Sequence, residues 1–193
     1  QGWNRQTRLL HQGEDPRQYY GAVVPPIVAT SLFAFDSYEA LDEAFADKHR
    51  HFVYTRGQNP TIDLTAAKIA DLEGGEAARL FPSGMAAISA AILAQVAQGD
   101  HVVCVRTAYG PTQSFLTAWL PRFGVETTLV DGREAGAFAE AARPNTKVFY
   151  LESPGSLAFD LQDLRAVAAI AKERGIVTII DNTFATPINQ NPL

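Results

Sequence analysis

Short apolar runs alternate with helix-type segments over the second half of the chain, and this alternation is the feature that most constrains the fold. The runs are AARLF, HVVCV, VETTLV, KVFYLE and IVTII, which begin at residues 77, 101, 125, 147 and 176. Strands that alternate with helices indicate βαβ units and a mostly parallel sheet, so we predict the α/β class. Because the runs are almost continuously apolar, we expect helices on both faces of this sheet.

The segments between the runs predict the helices. MAAISAAILAQVA predicts a helix that ends near Gly99, and PTQSFLTAWL, REAGAFAEAA and LQDLRAVAAIAKERG predict three more. Further upstream, cap-type residues at Asp36 start a helix in DSYEALDEAFADK, and Thr61 can cap a helix that runs to about Leu72. Residues 1–35 are punctuated by glycine and proline and predict an extended arm with little core of its own.

Composition narrows the classes of function. The 193 residues carry 16 basic and 21 acidic side chains, a net charge of −5, whereas nucleic-acid binding needs a basic surface. No apolar stretch is long enough for a membrane span. The only cysteine, Cys104, forms no internal disulfide and is predicted to be a buried strand thiol. The four histidines have no metal-ligand spacing with acids or with Cys104, so we predict no metal site.

Polar residues follow the predicted strands at their carboxyl ends, which is where open α/β sheets bind ligands. These residues are Ser83-Gly84-Met85, Thr107-Ala108-Tyr109, Glu152-Ser153 and Asp181-Asn182-Thr183. A helix that starts at Gly84 offers unpaired N–H groups and a positive dipole end to a phosphate. Taken singly, this helix start is more often only a cap, and Asp181 more often a turn residue. Neither G-x-G-x-x-G nor G-x-x-x-x-G-K-[ST] is present, which argues against a nicotinamide enzyme or an NTPase.

Five stretches together resemble the Cys/Met-metabolism family of pyridoxal-phosphate enzymes. They are YTRGQNPT, LEGGEAARLFPSGMAAI, GDHVVCVRTAYGPT, PNTKVFYLESPGS and IIDNTFATP, in family order over residues 20–193. Several independent motifs in order are far more specific than any one of them. The resemblance implies pyridoxal 5'-phosphate as cofactor and a type I (aspartate-aminotransferase-like) fold, a mostly parallel sheet with helices on both faces.

The resemblance also implies a domain arrangement. Residues 1–50 would form an N-terminal arm and helix that contribute to the neighbouring subunit, and residues 51–193 an incomplete cofactor-binding domain. The family's Schiff-base lysine lies in a Ser-x-Thr-Lys motif beyond the position that matches Asp181. No such motif precedes Leu193. We therefore expect the C-terminal part of the fold, with that lysine and the small C-terminal domain, to be missing from this chain.

Five residues beyond residue 80 receive site roles from the resemblance. Asp181 would keep the pyridine nitrogen protonated, because an ionised partner raises the pKa of that nitrogen. Thr183 would lie under or beside the ring. Tyr109 would stack on the ring face and, as the catalytic residue, transfer a proton at the substrate. Gly84 and Met85 would donate backbone N–H groups to the cofactor phosphate.

Two residues of the first half are implied to act across a subunit boundary. Tyr54 and Arg56 match family residues that reach the same phosphate from a neighbouring subunit, a task that suits the planar donor fork of a guanidinium. A shared site implies a homo-oligomer, commonly a tetramer of two active-site-sharing dimers. The expected substrate is a small amino acid, with no nucleic-acid or membrane partner, and the expected location is cytoplasmic.

The resemblance leaves the reaction open. Glu-Ser-Pro-Gly-Ser at 152–156, where many members have Glu-Ser-Pro-Thr-Asn-Pro, favours β-elimination of cystathionine to homocysteine, pyruvate and ammonia. YTRGQNPT is closer to the cystathionine γ-synthase pattern. It favours the γ-replacement or γ-elimination of that enzyme, of the O-acylhomoserine sulfhydrylases and of methionine γ-lyase. A non-catalytic α/β binding module is the alternative from another class.

Overall fold

The structure is a computed structural model that describes residues 2–47 and 50–193. Gln1, Lys48 and His49 lie outside the described residues, and Lys48 is the last residue of the predicted segment DSYEALDEAFADK. The chain divides into two compact units, Gln1–Leu80 with Leu193, and Phe81–Pro192. The functional division expected at residue 50 stays a prediction.

Helices form the first unit. They are α1 (Arg5–His11), a 3₁₀ turn (Pro16–Tyr19), α2 (Tyr38–Ala46) and α3 (Pro60–Glu73). The helix expected after Asp36 is confirmed as α2. The Ser37 hydroxyl caps α2 by accepting the Ala40 N–H. Gly74 ends α3 at φ +74°, a left-handed conformation that glycine adopts without strain.

The N-terminal arm is not extended throughout, which corrects the sequence expectation. Asn4 caps α1 by accepting the Thr7 N–H, and the Arg8 guanidinium pairs with the Asp71 carboxylate of α3, with Nε 2.9 Å from Oδ2. No residue of α1 is buried. A cap and an ion pair therefore hold a helix that apolar periodicity does not reveal.

The start of α3 also differs from the expectation, because Asn59 rather than Thr61 is its cap. The Asn59 Oδ1 accepts the Thr61 N–H at 2.9 Å, and Pro60 occupies the first helical position. Proline suits that position because its φ is already helical and it lacks an N–H that would need a partner. The Thr61 hydroxyl instead accepts the N–H of Val28 at 2.9 Å.

The second unit is an α/β arrangement around a four-stranded sheet. Its elements are α4 (Gly84–Leu93), β1 (His101–Val105), α5 (Gly110–Ser114), β2 (Glu126–Val130), α6 (Gly136–Ala141), β3 (Thr146–Glu152), α7 (Leu164–Glu173), β4 (Val177–Asp181) and α8 (Thr186–Asn189). All neighbouring strands are parallel, in the order β2-β1-β3-β4, which confirms the predicted class. A π turn (Phe115–Trp119) and a 3₁₀ turn (Leu120–Phe123) continue α5. No helix in the described part of the chain is long and apolar enough to cross a membrane.

Two sequence predictions between residues 77 and 99 are wrong. Residues 77–81 (AARLF) form no strand within the described ranges. A strand requires a hydrogen-bonding partner, and an apolar run does not specify one. The helix expected to end near Gly99 ends at Leu93. Beyond it, the Asp100 carboxylate accepts the Ala97 N–H at 2.8 Å, and the Gly99 N–H donates to the Gly124 carbonyl at 2.8 Å, so these residues form turns.

The core lies around the two central strands. Every residue of β1 is buried, and so is every residue of β3 except Lys147. Because successive strand side chains point to opposite faces, both faces of the sheet are covered. Cys104 is fully buried, as predicted, and burial raises the pKa of its thiol, with a smaller effect from Glu152. A thiol held protonated in this way is a poor nucleophile.

The sheet order also decides where a crevice opens. The connection after β1 leads outwards to β2, whereas the connection after β3 leads in the opposite direction to β4. The connections therefore diverge between β1 and β3. In open α/β sheets, ligands bind at such a point, outside the carboxyl ends of the strands.

A matched pair of substitutions tests this core. Val103→Ala removes two methylene equivalents from a fully buried site on β1 and should lower the free energy of unfolding by about 2 kcal/mol. Val177→Ala, at a position 41% exposed on β4, is the control and should cost well under half as much. Chemical denaturation measures both, and equal losses would contradict the placement of the core.

Candidate active site

A cavity of about 580 Å³ lies at the carboxyl ends of β1, β3 and β4. This volume is in the range of small-molecule sites. Five of the seven predicted site residues line it, and they come from α4, from the loop after β1 and from the end of β4. These residues are Gly84, Met85, Tyr109, Asp181 and Thr183.

The start of α4 faces the cavity with unused donors. The Ser83 hydroxyl accepts the Ala86 N–H at 3.1 Å, and the Ser83 carbonyl accepts the Ala87 N–H at 3.1 Å. Among residues 2–47 and 50–193, the N–H groups of Gly84 and Met85 have no acceptor. A Cβ built on Gly84 would meet no atom within 4 Å, so the space before the helix is open. An anion can approach these two N–H groups closely.

Asp181 ends β4 with its carboxylate at the cavity. Its backbone pairs in register with Glu152 at the end of β3. One carboxylate oxygen, Oδ1, accepts the Thr183 N–H at 3.0 Å, the kind of local bond that aspartate makes two residues onward at turns. A strand on one side and this turn on the other therefore set the direction of the carboxylate.

Tyr109 places an aromatic ring at the cavity, with 47% of the residue exposed. It immediately precedes α5, and its carbonyl accepts the Gln113 N–H at 3.1 Å. Its own N–H donates to the Glu152 Oε2 at 2.6 Å, across 43 residues of sequence. The loop after β1 is thus tied to the end of β3.

Glu152 has a role that sequence reasoning missed. It lines the cavity yet is only 2% exposed, and its Oε1 accepts the Ser156 O–H at 2.6 Å. Burial raises the pKa of this carboxyl, the bonds from Ser156 and Tyr109 oppose that rise, and Asp181 adds to it. The sequence does carry a signal for this residue, because Glu152 ends an apolar run just as Asp181 follows one.

The turn after β3 requires glycine at position 155. The Ser156 N–H donates to the Thr107 carbonyl at 2.8 Å, which brings the two loops into contact. A Cβ on Gly155 would lie 2.6 Å from the Thr107 Oγ1 and 3.2 Å from the Thr107 carbonyl oxygen. Any larger residue would push these loops apart. The glycine of the Gly-Ser pair at 155–156 therefore has a structural reason.

Tyr54 and Arg56 lie in the first unit and line a second hollow, of about 420 Å³. The Arg56 guanidinium is 5.2 Å from the centroid of the Tyr54 ring, a cation–π distance. The Tyr54 carbonyl accepts the N–H groups of Gly57 and Gln58 at 2.9 and 3.2 Å, and Tyr54 also bridges to Leu32. The structure thus places these two predicted residues beside one another.

The cavity at the strand ends fits a phosphorylated aromatic cation. The open start of α4 can accept a phosphate, the Tyr109 ring offers a face for stacking, and the Asp181 carboxylate offers a partner for a protonated ring nitrogen. Ile88, Leu157 and Phe184 add apolar lining. These features match what pyridoxal phosphate needs from a protein.

Comparisons with known proteins identify the family. The family model described as Cys/Met metabolism PLP-dependent enzyme matches residues 6–193. The chain is 44% identical over 188 residues to an L-methionine gamma-lyase of Porphyromonas gingivalis, covering 97% of this chain and 47% of that protein. It is 40% identical over 191 residues to the cystathionine beta-lyase MetC of Bacillus subtilis, covering 99% and 47%.

A solved structure shows the same relation in three dimensions. MetY of Campylobacter jejuni, named an O-acetylhomoserine (thiol)-lyase, superposes with a TM-score of 0.93 at 29% identity, over 99% of this chain and 47% of that one. It contains N'-pyridoxyl-lysine-5'-monophosphate. The chain spans about half the length of the relatives it matches.

A substitution at Gly155 tests the contact between the two loops. Gly155→Ala should lower the free energy of unfolding by about 1–3 kcal/mol, because the new methyl group overlaps Thr107. Adding Thr107→Ala should recover part of this loss by removing the closest atom. Gly136→Ala, where a Cβ meets nothing within 4 Å, is the control and should be neutral. Thermal or chemical unfolding measures all three, and a neutral Gly155→Ala would refute the contact.

Proposed function

Because the chain belongs to the Cys/Met-metabolism family of pyridoxal-phosphate-dependent enzymes, we propose that the cavity at the strand ends holds this cofactor and that the whole protein is a carbon–sulfur lyase. The observation that carries the proposal is one cavity lined by a helix start, an aromatic ring and a carboxylate: Gly84, Tyr109 and Asp181. When bound, pyridoxal phosphate supplies a cationic ring that stores the electron pair left when a bond to the substrate's α-carbon breaks.

The start of α4 is the proposed phosphate site. The N–H groups of Gly84 and Met85 would donate to phosphate oxygens, and the dipole of a ten-residue helix favours the negative charge there. Arg56 and Tyr54 of a second copy would add donors to the same phosphate. This requirement is the reason to propose a homo-oligomer, a tetramer of two site-sharing dimers, with residues 1–50 contributing to the neighbouring subunit.

Asp181 is the proposed partner of the ring nitrogen. Its carboxylate would accept the ring N–H, and its negative charge favours the protonated ring. The Thr183 N–H occupies one lobe of Oδ1, so the carboxylate keeps one orientation before anything binds. A preorganised anion stabilises developing charge without having to reorganise during the reaction.

Tyr109 is the proposed catalytic residue of this chain. Its ring would cover one face of the bound ring, which excludes water from that side. Its phenol oxygen would take or give a proton at the bound amino acid. Because one loop carries the Tyr109 ring, the position of the ring depends on the contacts that hold this loop.

Three reactions are candidates. The Gly155–Ser156 turn supports β-elimination of cystathionine, which yields homocysteine, pyruvate and ammonia. The 44% identity to an L-methionine gamma-lyase favours γ-elimination instead, which for methionine yields methanethiol, 2-oxobutyrate and ammonia. γ-Replacement, the chemistry of the synthases, is the third possibility. A cytoplasmic location stays a prediction.

Product analysis on the whole protein decides among these reactions. From cystathionine, pyruvate with homocysteine supports β-elimination, and 2-oxobutyrate with cysteine supports γ-elimination. Turnover of methionine to methanethiol favours the second candidate. A colourless protein that binds no pyridoxal phosphate would overturn the proposed function and support the alternative, a non-catalytic binding module.

Asp181→Asn tests the role of the carboxylate. The substitution keeps shape but removes the charge, so we expect kcat to fall about a hundredfold or more while the fold is retained. Asp163→Asn is the matched control, because Asp163 caps α7 away from the cavity and asparagine caps helices equally well. Steady-state kinetics and circular dichroism are the measurements, and near-normal turnover of Asp181→Asn would refute the role.

A further inference from the structure

One side chain connects the two loops that flank the crevice of the sheet. Glu152 Oε2 accepts the Tyr109 N–H, and Glu152 Oε1 accepts the Ser156 O–H, each at 2.6 Å. The Ser156 N–H in turn donates to the Thr107 carbonyl at 2.8 Å. Hydrogen bonds to an ionised carboxylate are roughly twice as strong as those between neutral groups. The loop after β1 is therefore held at Tyr109 by the last residue of β3 and at Thr107 by Ser156, which follows β3.

Glu152 is a fixed attachment point and not a reacting group. It is 2% exposed, and both of its oxygens already accept hydrogen bonds. Its backbone N–H donates to the Gln162 Oε1 at 3.2 Å, and its strand pairs in register with Asp181. Although Glu152 lines the cavity, its carboxylate therefore offers little surface to a substrate.

Tyr109 is held at few points by comparison. The residue is 47% exposed, and no side chain in the described part of the chain caps the helix α5 that follows it. Its N–H lies outside the helical ladder, and Glu152 supplies the acceptor. The direction of the Tyr109 side chain therefore depends on a hydrogen bond to Glu152 of β3.

We propose that Glu152 is a positioning residue that holds the Tyr109 backbone, and through it the Tyr109 ring, over the cavity. The proposal rests on the proposed function, because the ring position affects the reaction only if Tyr109 faces a bound cofactor. The sheet order β1-β3-β4 places Glu152 between the Tyr109 loop and Asp181. The buried Glu152 carboxylate thus sets the position of the Tyr109 ring relative to the neighbouring Asp181 carboxylate.

Amide hydrogen exchange of the cofactor-free whole protein tests the contact directly. Glu152→Leu removes both acceptors and should speed exchange at the Tyr109 amide by about tenfold or more, because the bond to a charged acceptor is lost. Glu152→Gln should stay within a few-fold of the unmodified protein. Its amide oxygen can accept the Tyr109 N–H, while its NH₂ donates to Ser156. Glu140→Leu, on the exposed side of α6, is the matched control and should change nothing at Tyr109.

A merely structural role gives a different result. Exchange that accelerates equally along β1 and β3, or a Tyr109 amide unchanged in Glu152→Leu, would overturn the proposal. So would a Glu152→Gln protein that exchanges as fast as Glu152→Leu. If Glu152→Leu does not fold, Glu152→Asp takes its place, since it keeps the charge but is one methylene too short to reach both donors.

A double-mutant cycle tests whether Glu152 acts through Tyr109. Glu152→Leu should weaken pyridoxal-phosphate binding and lower kcat by about tenfold, yet have little further effect when Tyr109 is already replaced by Ala. Equal losses in both backgrounds would sink the proposal. If the whole protein binds no pyridoxal phosphate, the proposed function fails, whereas the exchange experiment still decides whether Glu152 holds Tyr109.

Discussion

The parallel register of β1, β3 and β4 is the constraint on which the rest of the site depends. Because the strands run in one direction, their carboxyl ends lie along one edge, and Glu152 and Asp181 become direct neighbours although they are 29 positions apart in the sequence. Burial of β1 and β3 makes this edge rigid. The cavity is therefore assembled from chain segments whose relative positions the core determines.

Two hydrogen-bonded contacts then fix the positions of the loops at this edge of the sheet. Thr107 meets Ser156 through backbone atoms, and Tyr109 meets Glu152 through a buried carboxylate. Gly155 permits the first contact because no side chain fits beside Thr107. The loop that carries the Tyr109 ring is in this way tied to the strand next to Asp181, and this contact gives the loop a defined geometry.

Much of this architecture could be predicted from particular residues. HVVCV, VETTLV, KVFYLE and IVTII correspond to the four strands, and Tyr109 and Asp181 at strand ends, with Gly84 at a helix start, indicate one site. The failures have physical causes. AARLF has the composition of a strand but forms none, because an apolar run does not specify a hydrogen-bonding partner. The helix α1 was missed because a cap at Asn4 and a pair with Asp71 leave no apolar period.

The sequence by itself determined the α/β class, the family and the residue types at the strand ends, since these follow from local periodicity and from motifs in order. Only the tertiary structure decided that Glu152 holds Tyr109 and Ser156 together. The reason is that a hydrogen bond across 43 residues depends on sheet order and register. Neither the sheet order nor the register can be derived from a local stretch of the sequence.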